Sequence, residues 1–96
     1  MAKIVINDCY GGFELSEKAI NWLKAKYGLE VEKYDPLPRH DARLVECVET
    51  LGSAAASGSC SKLVVRTISG NKYHVSEYDG AEWIETPETM HWVVID

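Results

Sequence analysis

Asn7, Asp8, Cys9 and Tyr10, followed at once by Gly11 and Gly12, gather where the apolar run "KIVIN" ends and shortly before a helix start. These residue types suit two chemistries. A glycine pair between a strand and a helix N-terminus lets backbone N–H groups converge on a phosphate or carboxylate, with the helix dipole adding to the attraction. A cysteine in the same position can have a lowered thiol pKa and act as a nucleophile. The stretch has no third spaced glycine and no following Lys-Ser or Lys-Thr, so it is neither a dinucleotide fingerprint nor a P-loop. His40, His74 and His91 are distant from Cys9 in sequence, so only the fold can supply it with a base. A structural account competes with both chemistries: the glycines allow a sharp corner, Tyr10 and Phe13 pack on the core, Asn7 and Asp8 bond loop backbone, and Cys9 is a small core filler.

Two further clusters carry charge chemistry. "PLPRHDARL" places Arg39, His40 and Asp41 at a helix entrance, with the rigid Pro-x-Pro approach holding a guanidinium that can fork onto a carboxylate or phosphate. Asp41 equally suits a simple helix cap. Further on, Asp79-Gly80 fits a two-residue hairpin turn. That register sets Val75 against Ile84, Ser76 against Trp83, His74 against Glu85 and Glu77 against Glu82. The last pair puts like charges on the face of Val75 and Ile84, which is unfavourable unless solvent, a cation or a basic partner intervenes.

The elements that must position these groups follow from periodicity. "KIVIN" reads as a buried strand. Ala19, Ile20, Leu23 and Tyr27 recur at helical spacing behind the cap Ser16 and before the stop Gly28, predicting a helix over 17–27. "LEVEKY" (29–34) alternates with period two and predicts a second strand, hence a β-α-β unit with a right-handed crossover. Asp41 opens a helix with the apolar face Leu44, Val45, Val48 and Leu51. Either Gly52 ends it or "SAAAS" extends it, and "SAAASGSCS" otherwise reads as a flexible loop. "KLVVRTI" and the two arms of the hairpin add strands, and "HWVVID" a last one. The expected fold is a single α+β domain over residues 1–96: a mixed sheet, parallel in the β-α-β unit and antiparallel through the hairpin, packed by two helices.

Bulk properties narrow the function classes. A chain of 96 residues with 46 % hydrophobic content suits one small domain, whose pockets are shallow or shared between subunits. Fifteen acidic against ten basic residues give a net charge of −5, which opposes nucleic-acid binding. Cys9, Cys47 and Cys60 lack metal-ligand spacing, so neither a metal site nor a cofactor is expected. No long apolar segment stands behind a basic flank, and the expected setting is a reducing cytoplasm. Two helices leave a sheet rich in Ile, Val and Trp partly bare, which predicts a homo-oligomer with "HWVVID" as its seam. Of Trp22, Trp83 and Trp92, at least two are expected in the core.

The stretches "IVINDCYGGFELSEKAI", "LPRHDARLVECVETLG" and "EYDGAEWI" resemble a family of small proteins, mostly without assigned activity, found in bacteriophages and in bacterial genomes carrying phage DNA. The resemblance covers about half the chain. It implies a phage accessory role in the host cytoplasm and brings no catalytic residue with it. In that setting binding outranks turnover. The primary expectation is a non-enzymatic protein that sequesters a small anionic, nucleotide-like host defence signal through Asn7, Tyr10, Gly11, Gly12, Phe13, Arg39 and His40. The alternatives are an acidic interaction module that blocks a basic host protein through Glu77, Asp79 and Glu82, and a small cysteine-dependent enzyme.

Overall fold

The computed structural model describes residues 2–70 and 72–87. Strand β1 (Ala2–Asn7) pairs antiparallel with β2 (Leu63–Ile68), from Ala2 opposite Ile68 to Asn7 opposite Leu63. Between them run α1 (Glu17–Tyr27), α2 (Ala42–Leu51) and the single turn α3 (Ser53–Ala56). A hairpin of β3 (His74–Tyr78) and β4 (Ala81–Glu85) follows, with the register read from Asp79-Gly80. Mixed α+β character therefore stands, in a different topology from the one expected.

Local rules set the helix limits. Ser16 Oγ accepts the Ala19 N–H and Gly28, in the left-handed region at φ 67°, closes α1 by donating to Lys24. Asp41 caps α2 by accepting the Arg43 N–H at 2.9 Å, and Gly52 stops it. The Ser-Ala run then makes one helical turn instead of a flexible loop, because Ala56 is buried and its carbonyl accepts the Ser16 N–H at 2.9 Å.

The β-α-β unit is corrected. Residues 29–34 form no strand, and β1 pairs with β2 rather than with them. Their burial does alternate as the sequence suggests, with Leu29, Val31 and Lys33 less exposed than Glu30, Glu32 and Tyr34. What the segment lacks is a ladder: Lys33 gives one carbonyl to the Leu15 N–H at 2.9 Å, beside the sheet rather than in it. Amphipathic alternation needs only one buried side, whereas a strand also needs an open edge to pair with.

Because side chains alternate along β1, the β1–β2 sheet has two distinct faces. Val5 faces the helices and joins Phe13, Leu15, Leu23, Leu44, Val48 and Leu63 in the main core. Ile4 and Ile6 point the other way, onto Ile68, Val75 and Ile84. The hairpin thus covers the face that two helices leave bare, and the molecule has three layers. "HWVVID", the self-association seam assigned to it, His91 and Trp92 lie outside the described residues. Of the other tryptophans, Trp22 packs on the main core and Trp83 is exposed.

Candidate functional site

The two clusters that sequence reading treated apart, the 7–13 corner and the acidic hairpin, meet. Antiparallel pairing turns alternate backbone groups of β1 away from β2, leaving an open edge at Val5 and Asn7. Arg39 closes that edge: its carbonyl accepts the Val5 N–H at 2.9 Å, and its Nη1 reaches the Val5 carbonyl at 3.4 Å. Glu82 completes the closure. Its carboxylate accepts from Arg39 Nη1 at 2.5 Å, from Nη2 at 2.9 Å, and from the Asn7 N–H at 2.8 Å. The guanidinium carbon sits over the Phe13 ring, 3.9 Å from its centroid. The Arg39 and Glu82 side chains are only 20 % and 9 % exposed.

Asn7 locks the hairpin tip to the corner. It is fully buried, and every polar atom of its side chain is used. Nδ2 donates to the Cys9 carbonyl at 2.7 Å and to the Gly80 carbonyl at 2.8 Å, while Oδ1 accepts the Lys62 N–H at 2.8 Å and the Cys9 thiol at 3.6 Å. The Gly11 N–H donates to Asp79 across the same seam at 3.3 Å. Gly80 has to be glycine twice over: its φ is 92°, and a Cβ there would stand 2.3 Å from the Gly12 nitrogen. The corner that looks like an anion cradle in sequence therefore seats the chain's own hairpin.

Each expected ligand residue can be placed. Asn7 and Arg39 do converge on an anion, the Glu82 carboxylate, with Phe13 beneath the guanidinium, whereas Gly11 and Gly12 meet the backbone of Asp79 and Gly80. Tyr10 stands apart with 67 % exposure. His40 Nδ1 meets the Tyr73 hydroxyl at 2.7 Å with the rings edge to face, which ties the entrance of α2 to the start of the hairpin. The Cys9 thiol is half-buried between Asn7 Oδ1 and the Cys60 carbonyl, and His40 is engaged by Tyr73 instead. Asp8 pairs with Arg66 at 3.3 Å.

Of the acidic alternatives, Glu82 points inward while Glu77 and Asp79 stay exposed. The inward carboxylate next to Val75 and Ile84 is the signal that a cation must face it, and Arg39 is that cation. On the hairpin's outer face, Tyr78 and Trp83 are 72 % and 45 % exposed, on the side shared by His74, Ser76 and Glu85. Glu85 braces that face by accepting from Ser76 and Trp83 at 2.9 and 3.0 Å, and these donors hold its carboxyl below the usual range.

A groove of about 490 Å³ runs between β2 and β4, lined by Ile6, Ile68, Trp83 and Ile84 with Asp8, Arg66 and Glu82. Its one arginine already has a carboxylate, so the wall is acidic and apolar rather than anion-binding. Among the described residues no helix is long and apolar enough to cross a membrane, and no group of three or more His, Cys, Asp or Glu is placed to hold a metal. Comparison with protein-family models, curated proteins and solved structures finds no match to this chain.

Proposed function

We propose that the chain is a non-catalytic binding module that docks a basic partner protein on the tip and outer face of its hairpin. The observation that carries this reading is that Tyr78 and Trp83 are exposed on one face of the hairpin, with Tyr10 exposed on the corner that seats its tip. Tyr and Trp dominate interface energetics because they bring large apolar area at little entropic cost. Glu77 and Asp79 ring the tip, and the chain's charge of −5 favours a basic surface opposite. The buried anchor beneath holds the hairpin rigid, so docking pays little ordering entropy. In the phage setting that the resemblance implies, the partner is a host protein and blocking it is the activity.

Affinity capture from host lysate tests this. The expected result is a basic protein retained by the parent chain, released at high salt, and lost with Tyr78→Ala/Trp83→Ala and with Glu77→Lys/Asp79→Lys. Tyr34→Ala, an equally exposed tyrosine elsewhere, should keep it. Retention that ignores the hairpin variants would overturn the proposal.

A second reading, sequestration of a nucleotide-like anion, is favoured by one observation: Arg39, the Asn7 N–H and Phe13 together already hold a carboxylate. On this reading the ligand displaces Glu82 and lifts the hairpin.

A further inference from the structure

Cys9 and Cys60 stand 51 positions apart in sequence, yet they meet at the corner. The β1–β2 register, continued by the Asp8 N–H to the Lys62 carbonyl at 2.8 Å, carries residue 9 alongside residues 60–62. The Cys9 sulfur lies 3.4 Å from the Cys60 carbonyl oxygen. Cys60 itself is pressed onto the corner, since a Cβ built on Gly11 would stand 3.0 Å from the Cys60 Cβ. Neither thiol is sealed away, for Cys9 is half-buried and Cys60 exposed. Cys47 is the contrast: it is fully buried in the main core, and burial pushes its thiol up to about 11.

We propose that Cys9 and Cys60 form a reversible intramolecular disulfide under peroxide, making the corner a redox-sensitive clamp. The exposed Cys60 thiolate attacks a peroxide oxygen, so an S–O bond forms as the O–O bond breaks, and a sulfenic acid and water result. The Cys9 thiolate then attacks that sulfur, the S–S bond forms as the S–O bond breaks, and the oxygen leaves as a second water. One hydrogen peroxide is reduced for the two thiols oxidised, and a small thiol reductant reverses the step. The local chain can accommodate the bond, because Gly11, Gly12 and Gly58 flank it and Cys60 is exposed, its sulfur held only by a long contact from the Ser59 hydroxyl at 3.9 Å. The bond would staple the corner that seats Gly80 and Asp79 to the loop entering β2. It also takes the Cys9 hydrogen from Asn7 Oδ1, which keeps the Lys62 N–H as donor. Redox state is thereby coupled to the support of the hairpin.

The test is titration of the dilute full-length chain with hydrogen peroxide, followed by thiol counting and peptide mapping without reductant. Two of the three thiols should disappear together, a linked peptide pair should carry Cys9 and Cys60, and Cys47 should be alkylated only after unfolding. Dithiothreitol should restore all three. Cys9→Ser and Cys60→Ser should each abolish the linked pair, and Cys60→Ser, at an exposed position, should leave the far-ultraviolet spectrum unchanged. Cys60-linked dimers as the main product, or conversion of both thiols to sulfinic acid without a 9–60 linked peptide, would overturn the proposal.

Discussion

Removing the Glu82 carboxylate should unfold much of what positions the hairpin. In Glu82→Ala three hydrogen bonds vanish, two from Arg39 and one from the Asn7 N–H. The guanidinium keeps only the long contact to the Val5 carbonyl and the face of Phe13. Breaking a buried pair by deleting one partner costs about 3–5 kcal/mol, because the charge left behind has lost its compensation. Arg39 is partly open to water, which sets the expectation at the lower end, about 3 kcal/mol. A domain of this size has a total stability of roughly 5–14 kcal/mol, so the loss is a large share. Its melting temperature should fall by about 12–24 °C, at roughly 4–8 °C per kcal/mol.

Urea unfolding followed by circular dichroism measures the effect at equilibrium, with an unchanged slope showing that the two end states are preserved. Glu49→Ala, which removes the exposed partner of Lys3, is the control and should hardly move the midpoint. In Glu82→Leu/Arg39→Met most of the loss should return, since an apolar pair leaves no buried charge. A Glu82→Ala loss below about 1 kcal/mol, the range of surface pairs, would refute the claim that this ion pair anchors the hairpin.

Asp41→Ala should cost about 1 kcal/mol at neutral pH through the lost cap. The Arg43 guanidinium first, then the Arg43 N–H, hold the Asp41 carboxyl down to about 2; its stabilisation is therefore fully present above pH ~4 and fades as pH falls toward 2, so parent and variant midpoints should converge over that window. Gly80→Ala and Gly12→Ala share a positive φ, but only at Gly80 would the new Cβ strike backbone, so calorimetry should find Gly80→Ala the more destabilising by at least ~1 kcal/mol. Equal losses would mean that the tip is not seated on the corner.

How far the sequence reaches depends on the range of the interaction that decides each element. The hairpin was legible because Asp79-Gly80 dictates its register from within two residues, and both helix ends because Ser16, Gly28 and Asp41 act on backbone within one turn. The topology was not, because it depends on which distant strand takes β1, and "LEVEKY" and "KLVVRTI" both read as strands. At the site, residue types were readable and their allegiance was not. Arg39 and the corner amides announce an anion, and Glu82 on an apolar face announces a need for a cation. Only the fold reveals that each answers the other. Cys60 carried no sequence signal at all, since 51 residues separate it from Cys9.

That internal answer sets a quantitative condition on the sequestration reading. Glu82 is tethered, and a tethered group competes at an effective concentration of roughly millimolar or more, so a free anion meets an occupied receptor. If lifting Glu82 off Arg39 and the Asn7 N–H costs a ligand about 3 kcal/mol, its binding is weakened by about a hundredfold. Glu82→Gln removes the competing charge while retaining an acceptor for the Asn7 N–H. A ligand that uses the cradle must therefore bind Glu82→Gln far more tightly than the parent, and lose that gain when Arg39→Ala is added. A partner docking on the outer face is indifferent to Glu82→Gln so long as the hairpin stays folded. Titration calorimetry with a nucleoside diphosphate against parent, Glu82→Gln and Glu82→Gln/Arg39→Ala separates the two, and the expected result is no heat from any of the three. Tight binding by Glu82→Gln that depends on Arg39 would refute the interaction module and show that the carboxylate stands in for the ligand.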